Sequence, residues 1–366
     1  MILKMAKHFE IDGIGIGGDN SCYVIAEMSG NHDGQLAEAI NIIHAAKKCG
    51  ANAVKLQTYR ADTITLNSDK DDFLLPSANP WEDHNSLYSL YEKAHTPWEW
   101  HEALFNEAKE VGITIFSSPF DLTSVDFLEE LGAPAYKIAS PEISDIPLIK
   151  RVAQTGKPVI VSTGLAELED IELAVATLKK NGCEDFAILR CTTAYPAPAS
   201  ETNLALLPDI ANRFDCVVGL SDHSLGQAVP LAALHYGSKI LEKHFVLNRS
   251  DSVDGFFSLD AEGFKDLIEN INMSEEAIGV VDYSITPSAK ANLFAKRSIY
   301  VSEDVSKGTV ITSKNIKSVR PGYGLHPKYY DQILGMKFAR DREMGDRLSL
   351  EDIDGFNGND DFEGKA

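Results

Sequence analysis

Short apolar runs alternate with amphipathic stretches along the chain from about residue 23 to residue 278. The runs have the length and β-branched content of buried strands, and the stretches between them repeat their apolar positions with helical spacing. The predicted strands are 23–27, 52–57, 113–116, 135–138, 158–161, 186–190, 216–220 and 239–244. The predicted helices include 35–48, 99–111, 122–131, 146–155, 167–180 and 261–278. Eight strand-helix units in about 250 residues predict an α/β fold, a closed (β/α)8 TIM barrel.

An open, doubly wound sheet is the alternative architecture for such a pattern. That sheet usually has fewer strands and a glycine-rich turn between its first strand and its first helix. The early GIGIGG segment, residues 13–18, does not supply the turn, because no predicted strand precedes it and no helix follows it directly. We interpret this segment as a loop that leads into the barrel.

Polar side chains follow every predicted strand, at the end where the active site of a TIM barrel lies. They are Glu27, Lys55 with Gln57, Ser117 with Ser118, Lys137 with Ser140 and Glu142, Ser162 with Thr163, Thr192 with Tyr195, Ser221 with His223, and Glu242 with His244. His223 and His244 end neighbouring strands, which lie about 4.8 Å apart, so both imidazoles can reach one metal ion or one substrate. The pattern therefore predicts an active site built from strand ends.

The charge of the chain limits what it binds. The formal net charge is −21, which argues against DNA or RNA, because affinity for nucleic acids comes from clustered Lys and Arg. A small anionic substrate is compatible, since Lys55 and Lys137 at strand ends would form a local positive focus. The hydroxyls expected to bind phosphate oxygens there are those of Ser118, Ser140, Ser162 and Ser221. A solvated rim position is the alternative for each lysine, and it is favoured less for the pair than for one alone.

The five cysteines are odd in number, scattered, and form no CxxC pair. They favour a reducing compartment over a disulfide framework or a zinc cluster. No signal-peptide pattern opens the chain, and no apolar run has transmembrane length. We therefore expect a cytoplasmic protein with no membrane partner.

The segment after the second predicted strand, residues 58–97, is much longer than the usual connection of about two to six residues. Its aromatic residues, with those at its border, are Tyr59, Phe73, Trp81, Tyr88, Tyr91, Trp98 and Trp100. A long loop on a barrel rim suits a lid whose aromatic faces contact a sugar. The favoured alternative is packing against the barrel, because residues 86–95 have helical spacing that groups Leu87, Leu90 and Tyr91.

The pattern changes after the last predicted helix. We predict a catalytic barrel at 1–281, a polar linker at 282–293, a β-rich module at 294–354 and a disordered tail at 355–366. Within the module, KGTVITSKNI (307–316) and MGDRLSLEDI (344–353) form a weak repeat that predicts pseudo-symmetry. A module of about sixty residues has a marginal core of its own, so we expect it to dock on a barrel or on a second subunit.

Motifs along nearly the whole chain resemble the sialic acid synthase family. They are IAEMSGNHDG (25–34), KLQTY (55–59), FSSPFD (116–121), YKIASPEI (136–143), VSTG (161–164), RCTTAYPAP (190–198), GLSDHS (219–224) and EKHF (242–245). The C-terminal module is similar to the SAF, or antifreeze-like, domain of that family through KRSIYVSEDVSKG (296–308) and VRPGYGLHP (319–327). The resemblance implies a transferase that condenses phosphoenolpyruvate with an acylamino sugar to form a nonulosonic acid.

Within the family, the chain most resembles the pseudaminic acid synthases. The segments that carry this likeness are IAEMSGNH (25–32), YEKAHTPWEWH (91–101) and VDGFFSLD (253–260), while Thr193 stands where sialic acid synthases more often have asparagine. The implied sugar is 2,4-diacetamido-2,4,6-trideoxy-L-altrose. An N-acetylneuraminic or legionaminic acid synthase is the alternative. More distant alternatives are a pyruvate aldolase with Lys55 or Lys137 as the Schiff base, and a non-catalytic sugar-binding protein.

The resemblance also implies roles for individual residues. His223 and His244 would hold Mn²⁺ or Mg²⁺, although two imidazoles also suit zinc. The residues implied for phosphoenolpyruvate are Lys55, Ser118, Lys137, Ser140, Ser162 and Ser221. Glu142 would orient or deprotonate the water and Glu27 would contact the sugar, with these two roles exchangeable. The residues implied for the sugar are Gln57, Tyr195, Asp254 and Arg320, the last from the other subunit of a domain-swapped homodimer.

Overall fold

The computed structural model describes residues 7–75, 86–250 and 252–358. The chain divides into two compact units, Met1–Gly279 and Val280–Ala366. The strands of the first unit are β1 (His8–Ile11), β2 (Ile14–Gly17), β3 (Tyr23–Glu27), β4 (Ala53–Thr58), β5 (Thr114–Pro119), β6 (Tyr136–Ile138), β7 (Val159–Ser162), β8 (Phe186–Cys191), β9 (Val217–Asp222) and β10 (Ile240–His244). Strands β3 to β10 are parallel and close into a barrel in chain order, with β10 beside β3. The predicted (β/α)8 fold is confirmed.

Helices surround this barrel and connect its strands. They are α1 (Leu36–Cys49), α2 (Ala61–Ile64), α3 (Leu87–Ala94), α4 (Trp98–Val111), α5 (Leu122–Glu130), α6 (Ile146–Ala153), α7 (Leu168–Lys180), α8 (Leu206–Phe214), α9 (Ala228–His235) and α10 (Ala261–Ile278). The main core lies between the helices and the outward faces of the strands, and it includes Val24, Val54, Leu241 and Phe264. Because successive strand residues point to opposite faces, their neighbours along each strand point into the barrel.

A second apolar cluster fills the amino-terminal end of the barrel interior. It consists of Phe9, Ile11, Ile16, Tyr23, Ile25, Ala53, Phe116, Ala135, Ile160, Ala187, Leu189, Val217 and Ile240. Beyond this layer, toward the carboxyl ends of the strands, the inward positions become polar. The barrel is therefore solid at one end and holds its polar groups at the other, as TIM barrels do.

The hairpin β1–β2 closes the amino-terminal end of the barrel. Our interpretation of residues 13–18 as a loop was wrong, because Ile14–Gly17 pairs antiparallel with His8–Ile11. Gly17 has a φ of 86°, and a Cβ on it would lie 2.3 Å from the carbonyl oxygen of Lys7. Gly17 thus permits a close backbone approach at the end of a strand, a use that the sequence pattern does not separate from a loop.

The second unit is a small β-rich module with its own core. Its elements are α11 (Pro287–Lys290), β11 (Ser298–Val301), β12 (Ile316–Val319) and α12 (Tyr330–Ile333). The two copies of the repeat make matching turns. The side chain of Asn315 accepts a hydrogen bond from the Thr312 amide at 2.8 Å, and that of Asp352 accepts one from the Ser349 amide at 2.7 Å.

Some expectations fall on residues that the structure does not describe. Trp81 and the end of the predicted disordered tail, 359–366, lie outside the described residues. Among the helices of the described residues, none is both long enough and apolar enough to cross a membrane. All five cysteines are free and buried.

Candidate active site

A cavity of about 520 Å³ opens at the carboxyl ends of the barrel strands. Most of the residues predicted for the site line it: Glu27, Lys55, Gln57, Lys137, Ser140, Glu142, Ser162, Tyr195, Ser221, His223, His244 and Asp254. Ser118 is fully buried beneath the lining, where it accepts a hydrogen bond from Lys55 Nζ at 3.3 Å. Arg320 belongs to the second unit, where it is exposed. The fold thus brings together the residues predicted from the barrel, with Ser118 in contact with Lys55 just beneath the lining.

A network of buried charges lies at the centre of the cavity. Lys55 Nζ is 2.9 Å from Glu27 Oε2 and 3.4 Å from Glu242 Oε1. Lys137 Nζ is 3.3 Å from the same Glu242 oxygen, which also accepts a hydrogen bond from Ser221 at 3.1 Å. Two lysines therefore face two carboxylates, and the formal charges cancel. The expected positive focus is absent within this group of four. Glu242, which the sequence placed among the polar strand-end residues without a role, is the carboxylate shared by both lysines.

The surroundings of the two lysines shift their pKa values in opposite directions. Burial acts to lower the pKa of both amines. For Lys55, the nearby carboxylates of Glu242 and Glu27 outweigh burial and raise the pKa. For Lys137, burial prevails and lowers the pKa, because Glu242 compensates it only in part and Lys55 repels the charge. Burial opposes ionisation of Glu242, but Lys137 and Lys55 lower its pKa.

The two histidines lie side by side at the ends of β9 and β10, with ring centroids 5.3 Å apart. His223 Nδ1 is 3.0 Å from the carbonyl oxygen of Thr192. A carbonyl only accepts, so Nδ1 carries the proton and the Nε2 lone pair is available to a ligand. His244 Nδ1 lies 3.5 Å from Asp254 Oδ2. Aromatic rings hold this pair, since Tyr195 packs on His223 and Phe257 packs on His244.

The two histidines fit a catalytic metal ion whose remaining coordination positions are filled by substrate or water. Two neutral imidazoles are common ligands for divalent metals. Across the described parts of the chain, no group of three or more His, Cys, Asp or Glu side chains is arranged to hold a metal. His223 and His244 would therefore leave several coordination positions open, which is what a Lewis-acid site requires.

Several buried polar atoms facing the cavity have no hydrogen-bond partner among the described residues. They are Glu142 Oε2, Ser162 Oγ, Thr193 Oγ1 and Glu242 Oε2. Native proteins rarely leave such groups unpaired, so atoms of this kind around one cavity indicate that a polar ligand completes them. Burial raises the pKa of Glu142 to about 7, so near neutral pH its carboxyl is present in both the protonated and the ionised form.

Cys191 also lines the cavity, although the sequence offered no reason to place it there. Its Sγ lies 3.9 Å from His223 Nδ1. Burial alone would raise the pKa of this thiol, but His223, Ser140 and Lys137 lower it to about 7. The thiol is thus one more polar group beside the histidine pair.

A buried ion pair on the outer face of the barrel holds the loop that carries His223. Lys243 points away from the cavity, because it lies between the inward residues Glu242 and His244 on β10. Its Nζ is 2.5 Å from Asp222 Oδ2 and 2.7 Å from the carbonyl oxygen of Ser224. Lys243 therefore binds the residues on both sides of His223. The sequence does carry a signal for this ion pair. Lys243 occupies an outward strand position of the kind that apolar residues otherwise fill.

Asn31 fixes the loop that carries Asp254. Its side-chain amide donates to the carbonyl oxygen of Phe245 at 2.9 Å, and its Oδ1 accepts from the Asp254 amide at 3.1 Å. Asn31 is almost fully buried. It therefore ties the loop after β3 to the loop after β10, next to His244.

Described residues of the segment between β4 and α4 form one wall of the cavity. Tyr59, Leu87, Leu90 and Tyr91 line the cavity, so the apolar face of α3 borders it in addition to packing. The described tryptophans lie elsewhere. Trp98 stacks on Phe127 with ring centroids 4.7 Å apart, and Trp100 meets His32 edge-on. Trp98 and Trp100 therefore pack within the fold and do not line the cavity.

Taken together, a TIM barrel whose strand ends place buried lysines, carboxylates and two adjacent imidazoles around one cavity has the arrangement of an enzyme active site. The NeuB family matches residues 42–283, and the SAF domain matches residues 296–354. The chain belongs to the NeuB family, and the resemblance seen in its motifs is confirmed.

Relatives with assigned names cover nearly the whole chain. It is 42% identical over 336 residues to a pseudaminic acid synthase of Campylobacter jejuni, covering 92% of this chain and 97% of that protein. It is 41% identical over 334 residues to a pseudaminic acid synthase of Helicobacter pylori, covering 90% and 97%. A crystal structure of N-acetylneuraminic acid synthetase from Leptospira borgpetersenii in complex with citrate matches with a TM-score of 0.70 and 27% identity, covering 80% of this chain and 96% of that chain.

The outer ion pair can be tested by replacing its lysine. Lys243→Met leaves the Asp222 carboxylate buried without its cation, so we expect the free energy of unfolding to fall by about 3–5 kcal/mol. If His223 holds the metal, affinity for Mn²⁺ should fall about 10- to 100-fold, because the loop that carries this histidine loses its support. Denaturant titration and calorimetric Mn²⁺ titration measure the two effects.

Two variants control this experiment. Lys265→Met, at a surface lysine whose side chain is 60% exposed, should leave both quantities nearly unchanged. The double variant Lys243→Met/Asp222→Asn should regain part of the lost stability, because no unpaired charge remains. If the double variant is as unstable as the sum of its two single variants, the ion pair does not have this role.

Proposed function

We propose that this chain is a pseudaminic acid synthase. It would condense phosphoenolpyruvate with 2,4-diacetamido-2,4,6-trideoxy-L-altrose, releasing phosphate and forming a nonulosonic acid. The observation that carries the proposal is the buried network of Lys55, Lys137, Glu27 and Glu242 beside the histidine pair, in a chain 42% identical over nearly its full length to a pseudaminic acid synthase. An N-acetylneuraminic or legionaminic acid synthase is the alternative within the family.

Lys137 and the unpaired hydroxyls would receive phosphoenolpyruvate. In the described residues, the ammonium group of Lys137 has Glu242 as its ion-pair partner, so two of its three N–H donors remain for a ligand. Ser162 Oγ is buried without a partner beside it in the cavity lining. Lys55 is more fully engaged, since Glu27, Glu242 and Ser118 all lie within 3.4 Å of its Nζ. We assign Lys55 to orienting the carboxylates and Lys137 to direct contact with the anion.

The reaction forms one carbon–carbon bond and breaks one carbon–oxygen bond. C3 of the enol attacks the aldehyde carbon of the open-chain sugar, whose oxygen takes up a proton. C2 becomes an oxocarbenium ion, water adds to it with loss of a proton, and phosphate leaves from the tetrahedral intermediate. A divalent cation, Mn²⁺ or Mg²⁺, held by His223 and His244 would polarise the aldehyde carbonyl and supply the positive charge that the compensated lysines do not.

Two carboxyl groups would move the protons. We assign Glu142 to the water that adds at C2, because its pKa near 7 suits a group that accepts a proton at neutral pH. We assign Glu27 to the sugar, since Gln57 donates to its Oε1 at 2.9 Å and holds it at the cavity wall. Asp254 and Tyr195 would bind sugar hydroxyls.

The setting of this reaction is also part of the proposal. We place it in the cytoplasm, which is supported by five free, buried cysteines that suit a reducing compartment. We further propose a domain-swapped homodimer, in which Arg320 of one subunit reaches the cavity of the other. This arrangement rests on the family resemblance.

The activity is tested by incubating the protein with phosphoenolpyruvate, Mn²⁺ and each candidate sugar in parallel, with EDTA as the control. Mass spectrometry and phosphate release should show product from the 2,4-diacetamido sugar and none with EDTA. Phosphoenolpyruvate labelled in its bridging oxygen should pass the label to phosphate. Product only from N-acetylmannosamine would reject the pseudaminic assignment, and label retained in the sugar acid would reject C–O cleavage.

The pH profile tests the role of Glu142. A water-activating carboxylate must be ionised, and burial raises its pKa to about 7, so kcat/KM for the sugar should rise with pH through that value. Glu142→Gln should abolish this rise and lower the rate about 10²- to 10⁴-fold. If the rise persists in Glu142→Gln and disappears in Glu27→Gln, the two carboxyl roles are exchanged.

Mixed dimers test the proposed swap. Arg320→Ala and His223→Ala should each be nearly inactive alone. In a mixed dimer, one site would combine an intact barrel with an intact arginine, so activity should return on mixing after dissociation and reassociation. Activity that stays absent, in mixtures shown by mass spectrometry to contain both chains, would contradict an arginine supplied by the other subunit.

A further inference from the structure

One part of the cavity lining is apolar and comes from outside the barrel strands. It is formed by Ile64, Leu75, Leu87, Leu90, Ala94 and Phe120, which we call the apolar wall. The charged residues of the cavity lie on barrel strands or in the loops that follow β6, β9 and β10. The wall instead comes mainly from the segment between β4 and α4, so it is a separate feature with its own origin in the sequence.

Helix α3 is built to present this wall. Leu87, Leu90, Tyr91 and Ala94 follow the spacing i, i+3, i+4, i+7, which places them on one helix face, and all of them line the cavity. Ser86 caps the helix by accepting a hydrogen bond from the Ser89 amide at 3.2 Å. The face that normally packs on a core here borders an open cavity.

Apolar surface beside a cavity favours a ligand with an apolar group at that position. Burying one methyl or methylene group favours binding about fourfold. The side chains of the apolar wall carry no hydrogen-bonding group, so a hydroxyl placed against them would lose its bonds to water. The phenol rings of Tyr59 and Tyr91, which also line the cavity, pack edge-on with centroids 5.6 Å apart.

We infer that the apolar wall binds the C6 methyl group of the sugar and selects 6-deoxy sugars over those with a hydroxyl at C6. This inference rests on the proposed function. The aldehyde carbon must face the histidine pair and the lysines. C6 is the other end of the six-carbon chain, so it extends away from the strand ends toward the segment that forms the wall. Ile64 and Leu87 are then specificity-determining residues.

The test compares two sugars that differ by one oxygen. They are 2,4-diacetamido-2,4,6-trideoxy-L-altrose and its analogue with a hydroxyl at C6. In the wild-type protein, kcat/KM should favour the deoxy sugar. Leu87→Asn, which nearly preserves side-chain shape, should lower that preference about tenfold, the scale expected for one polar group in an apolar pocket. KM for phosphoenolpyruvate should stay unchanged.

Matched variants separate polarity from packing. The side chains of threonine and valine have nearly the same volume, but only threonine carries a hydroxyl. Ile64→Thr should therefore shift the preference toward the hydroxylated sugar, and Ile64→Val should not. Leu66→Asn is the matched control for Leu87→Asn. It is the same leucine-to-asparagine substitution, at a residue that is 64% exposed and does not line the cavity. It should keep the wild-type preference.

The outcomes distinguish this inference from the proposed function. If the wild-type protein condenses neither sugar, the proposed function fails. If it condenses the deoxy sugar but Leu87→Asn and Ile64→Thr keep the wild-type ratio, or lose both activities equally while folded, the inference about the wall is wrong. Equal wild-type activity on both sugars also overturns it.

Discussion

The rest of the site depends on the compensation of four buried charges by one another. Moving each of these ions out of water costs several kcal/mol, and mutual attraction offsets that cost only at close range. Closure of the barrel brings the charged groups this close together. Glu27 lies directly beside Lys55 in the pairing of β3 with β4, and Glu242 lies beside Ser221 in the pairing of β9 with β10. The site therefore forms together with the closed barrel and has no stable form without it.

The alternation of residues along the strands organises a second layer of support. Inward residues of β10 meet the cavity, and the outward Lys243 holds the loop around His223 from behind. Lysines on the two faces of the barrel wall thus have different roles. Lys55 on β4 and Lys137 on β6 face the cavity, while Lys243 on β10 restrains the loop of His223, the proposed metal ligand.

The parts of the structure visible in the sequence are those with local periodicity. All eight barrel strands lie within three residues of their predicted bounds, because buried parallel strands form uninterrupted apolar runs. The hairpin at 8–17 was missed, since its glycines have the composition of a loop. Compensation of Lys55 and Lys137 was also missed, because it depends on Glu242, which is more than a hundred residues away from Lys137 in the chain. Pairing at such separation leaves no periodic signal.

The two ends of the barrel are under different constraints, because the hairpin fills the amino-terminal end. Phe9, Ile11 and Ile16 contribute only apolar packing, while the other end holds charges that are costly to keep buried. Changes at the closed end therefore alter the robustness of the protein and leave its chemistry alone. Evolution can adapt such an enzyme to a new temperature at one end and to a new sugar at the other, with little conflict between the two.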